Sequence, residues 1–281
     1  MTRIVLVLIL LAGGVPTACG GDSTSADGGS DRIDVVASFY PLAWAVERLA
    51  GDTVQLRNLT PPGTEPHDVE LTARDVERIR SADTVFYLGR GFQPAVEDAV
   101  EGADGEAIDV LADPVGRDPH VWLDPVRFAE VVERVASALD RQDAADAPVN
   151  ELRALDRDFA RGLAQCQRRE IVTAHDAFGY LARRYRLTQV PITGLSPEAE
   201  PTPQRLEEVI DRVRDTGATT VFFETLVSPR LAETVARETG ARTAVLNPIE
   251  GLTEEQVHRG EDYLSVMREN LAALRKALDC R

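Results

Sequence analysis

A chain of 281 residues is long enough for one large domain or for two lobes with cores of their own. With 43% hydrophobic and 28% charged residues, the composition is that of a globular protein and argues against disorder or a repeat array. The formal charge of −16 argues against a nucleic-acid partner, because phosphate neutralisation needs clustered Lys and Arg.

The chain opens with Arg3 ahead of an unbroken apolar run, Ile4 to Ala12, and small residues then lead to Cys19. Residues 1–18 are therefore predicted to be an export signal, its apolar run too short to span a bilayer as a mature helix. A cysteine directly after such a segment, followed by Gly20, Gly21 and a polar stretch, resembles a bacterial lipoprotein site. Diacylglycerol on Cys19 would anchor the protein to the outer face of the cytoplasmic membrane. Pro16 stands where lipoproteins usually carry Leu, so ordinary secretory cleavage after Ala18 stays open. Both routes export the chain. Residues 19–32, rich in Ser, Gly and Asp, read as a flexible tether.

Beyond the tether, short β runs alternate with amphipathic helices. Strands are predicted at Ile33–Phe39, Val54–Leu59, Val85–Leu88, Glu170–Ala174, Gln189–Thr193, Thr219–Phe223 and Thr243–Leu246. Helices are predicted at Leu42–Ala50, Ala73–Ser81, Val126–Asp140, Val149–Gln165, Ala177–Tyr185, Pro203–Thr216, Pro229–Thr239 and Asp262–Leu278. Asp124-Pro125, Thr202-Pro203 and Ser228-Pro229 each place a cap residue before Pro, a helix-start signal. Such alternation argues for an α/β fold with mostly parallel sheets. From Val126 to Gln165 there is no strand, and a long connecting helix between two lobes is the simplest reading. The lobes are expected at residues 33–142 and 168–281, with the connecting helix in 143–167.

With Cys19 assigned to the anchor, Cys166 and Cys280 remain. In an exported chain they are expected to pair, worth about 3–5 kcal/mol if unstrained. Two free buried thiols are the alternative.

Only four histidines occur, and three sit in similar settings. His67 lies in a loop after a predicted strand, His120 lies just before a predicted helix, and His175 lies at a strand exit. In open α/β sheets ligands collect outside the carboxyl ends of strands, so the three can converge. Imidazole suits zinc, and neighbouring carboxylates are expected to hold the other ring nitrogens, with Asp68, Asp124 and Asp176 the candidates. His258 stands in a polar stretch that reads as a solvated face.

The segments Pro62-Gly63-Thr64-Glu65-Pro66-His67-Asp68 and Asp118-Pro119-His120-Val121-Trp122-Leu123-Asp124-Pro125 resemble the metal-site segments of a known family. It comprises the zinc- and manganese-binding solute-binding proteins of ABC importers, the ZnuA/TroA-like family. The resemblance continues through Thr173-Ala174-His175-Asp176-Ala177-Phe178, Glu200-Pro201-Thr202, Val221-Phe222-Phe223-Glu224 and Asn270-Leu271. It implies two pseudo-symmetric α/β lobes joined by one long rigid helix, with metal between them. It also implies ligands at His67, His120 and His175 and a fourth after the last strand. Family members usually carry Asp there. This chain has Asn247, with Glu250 shortly after, and a carboxylate is favoured because a dication among neutral imidazoles gains from a counter-charge.

Zinc members often carry a His-rich loop ahead of the second ligand, whereas the stretch 91–116 here is acidic and has no histidine. Manganese members usually replace the third histidine by Glu, yet His175 is kept, which favours zinc over manganese or iron. The resemblance further implies delivery to an ABC permease driven by its ATPase, by a monomer that catalyses nothing. An exported zinc hydrolase is the rival reading, with Glu65 or Glu224 as its base, but no HExxH helix or nucleophile elbow is present. A binding module for a tetrapyrrole or metal chelate would need an aromatic cleft, and aromatics make up 5% of the chain.

Overall fold

The computed structural model describes residues 32–111 and 118–281. The predicted export signal, Cys19 and all of the tether but Arg32 lie outside the described residues. The first half runs β1 (Ile33–Ala37), α1 (Tyr40–Ala50), β2 (Val54–Asn58), α2 (Ala73–Ser81), β3 (Thr84–Tyr87), α3 (Pro94–Val100) and β4 (Glu106–Asp109). Two helices follow, α4 (Pro125–Ala138) and α5 (Asp146–Gly162). The second half runs β5 (Glu170–Thr173), α6 (Gly179–Tyr185), β6 (Thr188–Pro191), α7 (Pro203–Thr216), β7 (Thr220–Phe223) and α8 (Arg230–Thr239). It ends with β8 (Arg242–Val245), α9 (Glu254–His258) and α10 (Tyr263–Leu278).

Each half builds a four-stranded, all-parallel sheet, in the orders β2-β1-β3-β4 and β6-β5-β7-β8. The two orders are the same pattern, so each sheet reverses direction at one place, between its first and third strands. Loops leaving the carboxyl ends beside such a reversal enclose a crevice. Helix packing accounts for the strand sequences: Val35, Val36 and Ala37 of β1 are buried in succession rather than alternately, as in a sheet covered on both faces.

β4 and α3 were not expected. Glu106-Ala107-Ile108-Asp109 is an edge strand, exposed or half-buried throughout, so it carries little of the apolar signal that marks a strand. Its register against β3, Thr84 opposite Glu106, comes from pairing rather than from pattern. The expected connecting helix corresponds to α5, which starts at Asp146, three residues earlier than its apolar spacing predicts. Pro148 falls in its first turn, where a missing N–H costs nothing. The 17 residues of α5 span about 25 Å. Val149, Leu152, Leu155 and Phe159 bury one stripe of it, and it packs on α1 and α4 of the first half and on α10 of the second.

The largest apolar core does not stop at the lobe boundary. It runs from Val35 and Trp44 through Trp122 and Phe159 to Phe178, Ile249, Tyr263 and Leu274. A disulfide joins Cys166, just past α5, to Cys280, just past α10. It closes 114 residues of chain, which stabilises by roughly 4–5 kcal/mol through the entropy of the unfolded state. Among the described residues no helix is long and apolar enough to cross a membrane.

Candidate metal centre

The candidate side chains leave the sheets on strand-end loops. His67 lies on the loop after β2, His120 between β4 and α4, His175 two residues past β5, and Glu250 past β8. Both sheets therefore contribute. The Nε2 atoms of His67, His120 and His175 lie 3.2, 3.0 and 3.3 Å from one oxygen, Oε1 of Glu250. One ligand atom from each of the four residues falls within 4.8 Å of all the others. The His120 and His175 Nε2 atoms are 3.4 Å apart. Two ligand atoms each about 2.05 Å from a tetrahedral zinc would stand about 3.3 Å apart, so the spacing suits that ion.

The rings are fixed from behind. His120 Nδ1 donates to Asp118 Oδ1 at 2.9 Å, and the same oxygen accepts the His120 backbone N–H. His175 Nδ1 donates to Glu224 Oε1. These partners leave each Nε2 free to bind a cation. Asp118 and Glu224 take the place expected of Asp68, Asp124 and Asp176. Asp68 is exposed, and Asp124 accepts from the first N–H groups of α4 and pairs with Arg184. The side chain of Asp118 lies close against α6: a Cβ on Gly179 would sit 2.6 Å from its Oδ2, so a larger residue there would push the Asp118 carboxylate aside.

Asn247 does not join the cluster. Its Oδ1 accepts from Ile249 N at 2.7 Å and its Nδ2 donates to Thr225 Oγ1 at 3.1 Å, while its backbone N–H and C=O pair with the Asn270 amide. Both ends of the side chain are thus committed. Its work is to shape the turn: Ile249 is held at φ +57°, a left-handed conformation costly for a β-branched residue, by about 1–3 kcal/mol. That turn delivers Glu250 to the histidines. Trp122 braces it by donating its indole N–H to Pro248 O at 2.7 Å, and Tyr263 donates its hydroxyl to Trp122 O. Across the cluster the loops of His67 and Glu250 are joined by Gly63 N–H donating to Leu252 O at 2.8 Å.

His120, His175 and Glu250 are almost wholly buried. Burial opposes charge on the two imidazoles, yet Asp118 and Glu250 hold the His120 pKa above its ordinary value. Glu224 and Glu250 raise that of His175 further. Burial likewise opposes charge on Glu250, but the three histidines keep its carboxyl well below the usual range. Burial, and next the nearby Glu250, pushes Glu65 up to about 9. Burial also raises Glu224, against the pull of His175. One oxygen each of Glu65, Glu224 and Glu250 is buried without a hydrogen-bond partner among the described residues. Surplus buried carboxylate oxygens beside imidazole nitrogens are what a bound cation satisfies. The sequence gives no direct signal for the role of Asp118, although its spacing two residues before His120 is the one clue. His258, on α9, is exposed and is not part of the cluster.

Residues 35–277 match the family model described as ZnuA, zinc-uptake complex component A, periplasmic. The zinc-binding lipoprotein AdcA of Streptococcus pneumoniae serotype 4 is 36% identical over 312 residues, covering 99% of this chain. The chain spans only 62% of that relative's length. The high-affinity zinc uptake system protein ZnuA of Bacillus subtilis is 33% identical, with 93% of each chain covered. Among solved structures, the Zn(II)-bound ZnuA-like domain of the pneumococcal AdcA superposes with a TM-score of 0.76 at 38% identity, over 88% of this chain and 99% of that one. The laminin-binding protein Lmb of Streptococcus agalactiae, described as having adhesin and metal-transporting activity, gives 0.80 at 29% identity, over 88% and 99%.

Proposed function

The chain belongs to the ZnuA family of zinc-uptake solute-binding proteins, and from that premise we propose that it captures Zn²⁺ outside the cell and hands it to an ABC permease driven by its ATPase. His67, His120, His175 and Glu250 are the proposed ligands. The observation that carries this reading is the convergence of three Nε2 atoms on one buried carboxylate, with two of the rings oriented from behind. Zinc is the cargo, because three imidazoles and one carboxylate make a softer set than manganese or iron prefers. Lipid on Cys19 anchors the mature monomer to the outer face of the membrane.

Binding rather than hydrolysis follows from burial. A catalytic zinc keeps a position open to water and substrate. Here His120 and His175 have no exposed surface, and Glu250, the proposed fourth ligand, is buried with them. The test is metal content and competition on the purified mature chain and on His175→Ala. One zinc per chain, resisting excess manganese and lost in the variant, is expected. A full equivalent retained without His175, or none in the wild type, overturns the reading.

A further inference from the structure

A groove of about 380 Å³ lies between α1 and β2 of the first half and the α9–α10 region of the second. Two of its lining residues are Pro62 and Leu252, which belong to the loops that carry His67 and Glu250. Those loops are bonded to each other through Gly63 and Leu252, so whatever fills the groove touches both sides of the site at once. The lining is mainly apolar, and it includes Val257, which at 45% exposure is the most exposed of the large hydrophobic side chains among the described residues. The indole N–H of Trp44, also in the lining, is buried without an acceptor among the described residues.

Charge narrows the occupant. Every ionisable carboxylate or base in the lining is acidic: Glu47, Glu261 and Asp262, with no Lys or Arg. Glu261 is already paired with Arg259, and Asp262 caps α10. The exposed Glu47 side chain has no hydrogen-bond or ion-pair partner among the described residues. The chain's own tether cannot supply the match: residues 20–31 contain three Asp, no Lys or Arg, and no large apolar side chain. A second copy would bring the same acidic surface, at −16 per chain.

We infer that this groove is where the importer's permease reads the protein, through an external loop presenting an apolar side chain flanked by Lys or Arg. The inference rests on the zinc-capture reading. The apolar side chain seats against Val257 and Leu252, and the cation pairs with Glu47. Contact with Pro62 and Leu252 couples docking to the position of His67 and Glu250, the two ligands on the bonded loops.

The experiment places full-length Glu47→Arg or Val257→Glu in cells whose own copy is deleted and follows radiolabelled zinc uptake. Zinc affinity, stoichiometry and self-association are measured on the same purified proteins. Both positions are exposed, so each variant is expected to fold. Initial uptake should fall about tenfold in each, with zinc binding at wild-type values, and Glu on the permease's matching cation should be tolerated only beside Glu47→Arg. Wild-type uptake in both variants overturns the proposal. So does a fall in uptake matched by lost zinc affinity, which would make the groove part of the site's own framework. Loss of a wild-type dimer in the variants would assign the groove to a second copy instead. The zinc-capture reading fails differently, by a wild-type chain that holds no zinc, and docking falls with it.

Discussion

Glu250 reaches the histidines because of the strained residue before it. Ile249 occupies left-handed backbone space with its N–H donated to Asn247 Oδ1. Asn247→Ala should therefore weaken zinc binding although Asn247 touches no proposed ligand atom, and should cost about 1–3 kcal/mol of stability in urea melts. Asn247→Asp, which keeps the acceptor, should lose less affinity in competition titrations. Glu224→Gln, which weakens the hold on His175 Nδ1, should cost about 10–100-fold in zinc affinity. The pH dependence has a definite sign. His120 and His175 hold protons above their ordinary value of about 6.5 when no metal is bound. Their contribution to apo stability is full below that value and fades as pH rises through the raised pKa. Zinc needs the neutral rings, so affinity should begin to fall already above pH of about 6.5 as acid is added. Calorimetry in buffers of different ionisation enthalpy should show protons released on binding, and the zinc-induced rise in Tm should grow from pH of about 6 to 8. The three histidines were legible because each sits in a distinctive loop after or before an apolar run. Between Asn247 and Glu250 only the counter-charge argument favoured the carboxylate, and the turn that delivers Glu250 depends on a backbone dihedral that no local pattern encodes.

At the scale of elements, what reads directly from sequence is what local propensity controls. α2 and α7 span the residues predicted from sequence, Ala73–Ser81 and Pro203–Thr216, each behind a Thr whose hydroxyl accepts from the first turn. β4 escaped because an acidic edge strand is specified by its neighbour. The ties between elements are also invisible in sequence. Arg184 of α6 pairs with Asp156 of α5 at 2.7 Å and with Asp124, the cap of α4, at 3.2 Å. It thereby links the helices that follow His120 and His175. Asp124 is nearly buried, so Arg184→Met leaves a carboxylate without its cation. A loss of about 2–4 kcal/mol is expected in denaturant titrations, with zinc stoichiometry intact.

At the scale of the molecule, the duplicated strand order suggests two lobes free to hinge, but the packing argues otherwise. One apolar core crosses the boundary, α5 packs on both halves, and the disulfide holds the ends of α5 and α10 together. Opening along that boundary would expose Trp122, Phe178 and Tyr263, each costing about 1.5–3 kcal/mol or more. Zinc should therefore leave the scattering profile of the purified protein nearly unchanged. Hydrogen exchange should slow mainly in residues 61–71 and 247–253. Matching slowing across α5 and both sheets would instead indicate a lobe hinge.

The four proposed ligands are spaced from position 67 to position 250, two from each half, and no short stretch of chain carries more than one of them. A nascent or unfolded chain consequently has no claim on zinc. The site exists only once strands of both halves have closed, and the folded chain then selects its ion anew at each binding, by the softness and spacing of ligands that no fragment of it could bring together.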